Sequence, residues 1–156
     1  GSGNNFAIRQ NLASSEPAEF FLLLNSDAVP AQDAIKKLYD FMLAHPDAGM
    51  CGAYIHGPDG EPHHTAFRFP SVMSELEEQA QTGPISKLLR PHIVALDIPE
   101  HTVEVPWTAA VCMLIRRETL QRIGLFDETF FLYFEETDLC RRARDARCRR
   151  LADPAG

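Results

Sequence analysis

The sequence predicts an α/β fold, with helices on both faces of a mostly parallel sheet. Three observations carry that expectation. The run FFLLL at 20–24 is continuous, apolar and of strand length, which suits a strand covered on both faces. Ala34, Ile35, Leu38, Phe41 and Met42 recur at helical spacing, so a one-faced helix follows that strand. Apolar runs at 50–55 and 111–115 then alternate with helical stretches.

The elements follow in chain order. Asn4–Ala13 reads as a helix, with Ile8 and Leu12 one turn apart. Ser14–Glu19 is a polar connection to the strand Phe20–Leu24. Asn25, Ser26 and Asp27 come next, and Pro30 sits at a favoured first-turn position for the helix that ends before Pro46. Met50–Ile55 is a second strand. HGPDGE at 56–61 is turn chemistry, and 63–71 resume an extended path. Residues 72–101 are poorly periodic and carry Pro84, Pro91 and Pro99. They read as a long, variable excursion of the kind that forms lids and binding loops. Val103–Trp107 and Val111–Ile115 are extended. Arg117–Ile123 is a short helix stopped by Gly124. Phe126–Phe134 is an aromatic loop or strand, and Glu136–Arg150 is a closing helix with Leu139, Ala143 and Ala146 on one face.

Bulk properties narrow the function classes. A chain of 156 residues, 45% hydrophobic and 24% charged, suits one domain with a real core. A net charge of -7 argues against wholesale nucleic-acid binding. No apolar run approaches the ~20 residues that cross a bilayer. The four cysteines form no CxxC pair, which argues against a zinc ribbon or redox motif, and Cys51 and Cys112 read as buried thiols. His63 and His64 are adjacent, a poor geometry for one ion.

The carboxylates hold the chemical interest. Ligands of open α/β sheets bind beyond the carboxyl ends of the strands, and Asp27 follows FFLLL closely. Aspartate there either caps the next helix or serves a ligand. Glu135, Glu136 and Asp138 follow the aromatic run FFLYF. They complement a helix dipole, with Thr137 or Glu135 as the cap. Crowded like charges also raise a carboxyl pKa towards that of a useful general base. The arginines at 141, 142, 144, 147, 149 and 150 read mainly as a solvated helix face, with Asp138–Arg142 and Asp145–Arg149 as i,i+4 pairs. Such a face could also meet phosphate or an anionic membrane.

Three blocks in this order, FFLLLNSDAVPAQDAIKKL, GPDGEPHHTAFRFPS and VPWTAAVCMLIRRETLQRIGLFDETFFLYFEETDLCRRAR, resemble the family 2 glycosyltransferases of GT-A fold. The resemblance is strongest to their bacterial rhamnosyltransferase-like branch. It spans nearly the whole chain and is weakest over 72–101. It implies an inverting transfer of a sugar, rhamnose being its suggestion, from a nucleotide-diphosphate sugar to a hydroxyl of a glycan or lipid-linked acceptor. By resemblance, Asn25-Ser26-Asp27 stands at the DxD-like motif, so Asp27 would bind Mg²⁺ or Mn²⁺. Glu136 would be the base, with Glu135 and Asp138 as alternates. Asn5, Asn25 and Asp27 would lie at the donor, and Trp107, Thr108 and Glu135 at the acceptor. Asn25 and Glu136 stand where the family has aspartates, and Ala110 where it usually has glycine.

The resemblance further implies a partial GT-A domain over 1–156, holding the acceptor-side and catalytic part. The strand–helix–strand unit that grips the nucleotide would lie upstream of residue 1. The chain would then expose a sheet edge, prone to aggregation or homodimer formation. The expected setting is cytoplasmic, with peripheral contact to the inner membrane face. Two other readings stand beside this one: a non-catalytic binding module with a decayed glycosyltransferase site, and a nucleotidyltransferase.

Overall fold

The structure is a computed structural model of the chain. It describes residues 1–53, 55–56, 62–63, 66–67, 102–108, 110–130 and 134–153. The excursion read at 72–101, the turn at 57–61 and part of the aromatic run lie outside the described residues.

Four helices and nine strands are described. Helix α1 is Ser2–Leu12, α2 is Ala34–Ala44, α3 is Arg117–Ile123 and α4 is Glu135–Asp145. The longer strands are β1 (Phe20–Leu24), β2 (Ala48–Ala53), β8 (Cys112–Arg116) and β9 (Arg149–Asp153). Short strands are β3 (Ile55–His56), β4 (Pro62–His63), β5 (Ala66–Phe67), β6 (Val103–Glu104) and β7 (Trp107–Thr108). The main sheet has the order β1-β8-β2-β9-β6, and β3–β4 and β5–β7 form two small antiparallel pairs. The β3–β4 hairpin flanks the Pro-Asp-Gly segment, as turn chemistry there implies.

The expected α/β class holds, but a mostly parallel sheet does not. Among the described strands only β2–β9 pair in parallel, while β8 is antiparallel to both β1 and β2, and β6 to β9. Strands β1 and β2 run the same way, as a strand–helix–strand crossover through α2 demands. Strand β8 arrives later and inserts between them in the opposite direction. An apolar run such as VCMLI reads alike in either direction, so its sequence carries no sign of this.

Strand β8 alternates between two cores. Met113 and Ile115 join Ile8, Leu23, Met50, Leu120, Phe126, Leu139 and Ala143 on the face covered by α1, α3 and α4. Cys112 and Leu114 join Leu38, Met42, Cys51 and Leu151 on the face covered by α2. Helices on both faces are therefore borne out. Each fully buried side chain of this size contributes ~1.5–3 kcal/mol. Strand β1 meets both cores, Phe21 and Leu23 on one face and Phe20 and Leu22 on the other, but it stands at the edge of the described sheet. No described strand lies beyond it, so Phe20, Phe21 and Leu22 are only half-buried.

Two helix boundaries also differ. Helix α2 begins at Ala34, a turn later than Pro30 suggests, because 25–33 are taken up by turns such as Ala28 N–H to the Asn25 carbonyl (3.1 Å). Helix α4 stops at Asp145, where the sequence suggests Arg150. Arg147 adopts a left-handed φ of 58°. Cys148 N–H then bonds the Ala143 carbonyl and Arg147 N–H the Arg144 carbonyl, both at 2.8 Å, a Schellman ending made without glycine. The chain turns into β9, which becomes a central neighbour of β2.

Candidate active site at the carboxyl end of the sheet

The pairings place β1, β2 and β9 in one direction, so Asn25 and Asp27 leave the sheet at its carboxyl end. Helix α4 packs on β9 and on β7 and feeds β9 from its far end. It therefore runs against β9, and its acidic first turn reaches the same carboxyl end. Topology thus brings Asp27 and Glu136 to one side of the molecule, far apart as they are in sequence. The Trp107–Thr108 strand lies alongside α4, and Val111, just beyond it, accepts Asn25 N–H at 2.9 Å.

Asp27 is exposed and makes no hydrogen bond or ion pair among the described residues. Helix α2 starts seven residues later, at Ala34, so Asp27 caps no helix. Asn25, also exposed, holds the turn through its backbone.

The three acids of α4 have different surroundings. Asp138 is committed to its own helix: Arg142 Nε donates to its Oδ2 at 2.7 Å. Glu135 Oε1 lies 3.2 Å from the Gly1 nitrogen, and its Oε2 is buried with no hydrogen bond among the described residues. Glu136 is half-buried with no partner among them. None of these acids caps the helix through its side chain, and neither does Thr137. Phe134 occupies the cap position with φ 66°, and Asp138 N–H bonds its carbonyl at 2.8 Å. A bulky residue at positive φ is a backbone outlier of the kind that clusters at functional sites. Phe134 is 56% exposed and Phe130 37%, so both ends of the aromatic run face out of the core.

The segment before the aromatic run is tied down on two sides. Arg142 donates to the Ile123 carbonyl (2.6 Å) and the Leu125 carbonyl (2.8 Å). Between them Gly124 takes φ 83°, a conformation that suits glycine. Asp127 accepts Thr129 N–H and hydroxyl at 2.9 and 2.8 Å, which holds its carboxyl below the usual range. Asn5 is fully buried against this segment through contacts with Phe126 and Glu128. Sequence reasoning found the Asp138–Arg142 pair but missed the carbonyls that Arg142 also holds. A glycine stop followed closely by an arginine-bearing helix was the available signal.

The arginines at 141, 144, 147 and 149 are exposed, as a solvated face requires, while Arg142 and Arg150 are drawn inward. Arg150 is buried and donates to the carbonyls of Val105 (3.1 Å), Pro106 (3.0 Å) and Cys148 (2.6 Å), which fixes the approach to β7. Arg149 pairs with Asp47 and Glu104, not with Asp145, which bonds Arg144. All four cysteines are buried and none is in a disulfide, and burial pushes the Cys112 thiol up. Among the described residues no three His, Cys, Asp or Glu side chains gather as a metal site. No helix there is long and apolar enough to cross a membrane.

No protein-family model matches the chain. Curated relatives do. An N-acetylglucosaminyl-diphospho-decaprenol L-rhamnosyltransferase of Mycobacterium tuberculosis is 30% identical over 126 residues, 78% of this chain and 40% of that protein. The chain belongs with the rhamnosyltransferase-like glycosyltransferases. A low-salt glycan biosynthesis hexosyltransferase of Haloferax volcanii is 28% identical over 91% of this glycosyltransferase chain and 42% of its own length. A rhamnosyltransferase of Escherichia coli K12 is 26% identical over 91% of the chain and 53% of its own length. The chain thus spans about half or less of the relatives it matches.

Proposed function

We propose that this chain is the acceptor-side and catalytic part of an inverting glycosyltransferase of GT-A architecture. It would transfer a sugar, rhamnose foremost, from a nucleotide-diphosphate donor to a hydroxyl of a glycan or lipid-linked acceptor. The relatives' names support sugar transfer, and the first names a lipid-diphosphate acceptor and rhamnose. The observation that carries the mechanism is the inequality of the acids. Asp138 is paired with Arg142 and Glu135 has a buried oxygen, while Glu136 has no partner among the described residues and shares the sheet's carboxyl end with Asp27.

Glu136 is the base in this reading. An acceptor hydroxyl is a weak nucleophile at neutral pH, so a positioned carboxylate takes its proton as the oxygen attacks the anomeric carbon. The new carbon–oxygen bond forms as the bond to the diphosphate oxygen breaks, and nucleoside diphosphate leaves with the electron pair. Such base catalysis contributes ~10²–10⁴-fold. Asp27 would hold Mg²⁺ or Mn²⁺. Its exposed, unpartnered carboxylate fits a hard ion that takes one or two carboxylates and completes its shell with water and phosphate oxygens. When bound, the ion neutralises charge gathering on the departing diphosphate. Exposed Phe130 and Phe134 would flank the acceptor and keep water from the donor.

The outer edge of β1, unpaired among the described residues, is assigned to the nucleotide-gripping unit of the full protein. Beside it runs an apolar groove of about 600 Å³ lined by Phe20, Leu22, Ile35, Tyr39 and Leu114. The proposed location is the cytoplasmic face of the membrane, where nucleotide sugars meet lipid-linked acceptors.

The test is nucleoside diphosphate release by the full-length protein. A panel of sugar nucleotides is offered with a lipid-linked or glycan acceptor, first with Mn²⁺ and then with EDTA. Metal-dependent release that disappears in Glu136→Gln is the expected result. Release that survives the substitution moves the base elsewhere. Donor binding without release under every condition means a binding module with a decayed site.

A further inference from the structure

The segment Ile123–Glu128 leads from α3 to the aromatic run and the acids, and two helices distant in sequence grip it. From α4, Arg142 uses its planar fork on the carbonyls of Ile123 and Leu125 while its Nε holds Asp138. From α1, Asn5 reads both polar groups of Phe126. Its Oδ1 accepts Phe126 N–H at 2.9 Å, and its Nδ2 donates to the Phe126 carbonyl at 2.8 Å. The second Nδ2 proton goes to Glu128 Oε1 at 2.7 Å. Glu128 in turn pairs with Arg9 at 3.0 Å, one turn along α1.

A primary amide carries two donor protons, and both are used here. The side chain is also fully buried, with a relative exposure of 0%. Asn5 therefore has no proton and no open face to offer a sugar nucleotide. What it holds instead is a peptide unit in the segment that Arg142 locks to α4. A shift of that segment carries the Arg142 fork, and with it the first turn of α4, out of place.

We propose that Asn5 is a positioning residue: it clamps Phe126 from α1 and thereby fixes the acidic first turn of α4, without touching the donor. This deepens the sugar-transfer reading and rests on it for its kinetic consequence. A misplacement of ~1 Å at a reacting group costs on the order of 10²-fold in rate, so a loosened clamp acts on turnover and leaves donor affinity alone.

The experiment uses the full-length protein with Asn5→Asp, which keeps the shape, loses both donated bonds and faces Glu128 with a like charge. Three quantities are read: kcat, donor KM with the nucleoside diphosphate Kd, and amide exchange at Phe126 and Glu135–Leu139. The expected result is a fall in kcat of roughly 10- to 100-fold, KM and Kd within about twofold, and faster exchange at those amides with β1 and β8 unmoved. Asn5→Asp with Glu128→Gln restores a donor across the pair and recovers part of kcat. Should Asn5→Asp not fold, Glu128→Ala strips only the outer contact and must move the same amides by less. A rise in KM and Kd with kcat retained makes Asn5 a donor contact and overturns the proposal, as does unchanged exchange in α4. If no sugar is transferred by the unmodified protein, the sugar-transfer reading falls. The exchange data alone then decide whether Asn5 holds α4.

Discussion

At the amino ends of β1 and β2, Arg116 donates to the carbonyls of Ala48 (3.2 Å) and Met42 (2.8 Å), pairs with Glu19 and lies over the Phe20 ring. Arg117 holds the Pro17 carbonyl and Thr119 the Gly49 carbonyl. At the carboxyl ends of the same strands, Asp27 and Glu136 hold nothing among the described residues, a Glu135 oxygen is buried unpaired, and Phe134 sits at positive φ. One end satisfies its polar groups, and the other leaves them unspent. Unsatisfied groups and backbone strain cost stability. The unpartnered carboxylates gather at the end where the active site is proposed, whereas positive φ does not, since Arg147 adopts it before the amino end of β9.

Substitutions at the two ends should therefore separate activity from stability. Glu136→Gln should lower kcat by ~10²–10⁴-fold with an unchanged melting temperature, and equal losses in both would erase the distinction. Arg116→Ala strands buried carbonyls and should cost about 2–4 kcal/mol in urea unfolding, with activity per folded molecule retained. Gly49→Ala presses a methyl within 2.7 Å of Thr119 Oγ1 and 3.0 Å of Cys148 Cβ. Overpacking of this kind should cost about 1–3 kcal/mol, again without a change in kcat.

The smallest effect is a pH dependence. The Asn5 amide, and then Arg9, hold the Glu128 carboxyl below its usual range. The unfolded chain binds that proton more readily, so the contribution to stability is present above the ordinary glutamate pKa. It is lost as pH falls through the folded value. Acid titration of stability should be shallower in Glu128→Gln, and a parallel curve would remove Glu128 from the linkage.

Much of the fold was legible where the signals are local. Helix α3 and its glycine stop fall where the sequence puts them, because Gly124 takes the positive φ that only glycine reaches freely. The end of α4 was not legible, since Arg147 takes a left-handed turn with no glycine to announce it. Strand β9 was hidden for a related reason. An arginine pair reads as solvated surface, yet Arg150 is buried because backbone carbonyls absorb its guanidinium. At the site, residue types and sheet position suggested Asp27 and the acids at 135, 136 and 138 together; only the family resemblance singled out Glu136. Asp138 is set apart by its i,i+4 arginine, which the sequence does show, whereas the burial of a Glu135 oxygen has no local signature.

The insertion of β8 between β1 and β2 has a consequence for how the molecule is made. A growing chain completes β1, α2 and β2 early, yet these two strands never bond each other; each bonds β8. Until Cys112–Arg116 emerges, both carry unmatched edges. The loop-closure entropy of the intervening chain must be met before any pairing rewards it. The centre of the sheet is therefore among the last parts to form, and the nascent chain is exposed to wrong partners for as long as 54–111 are being made.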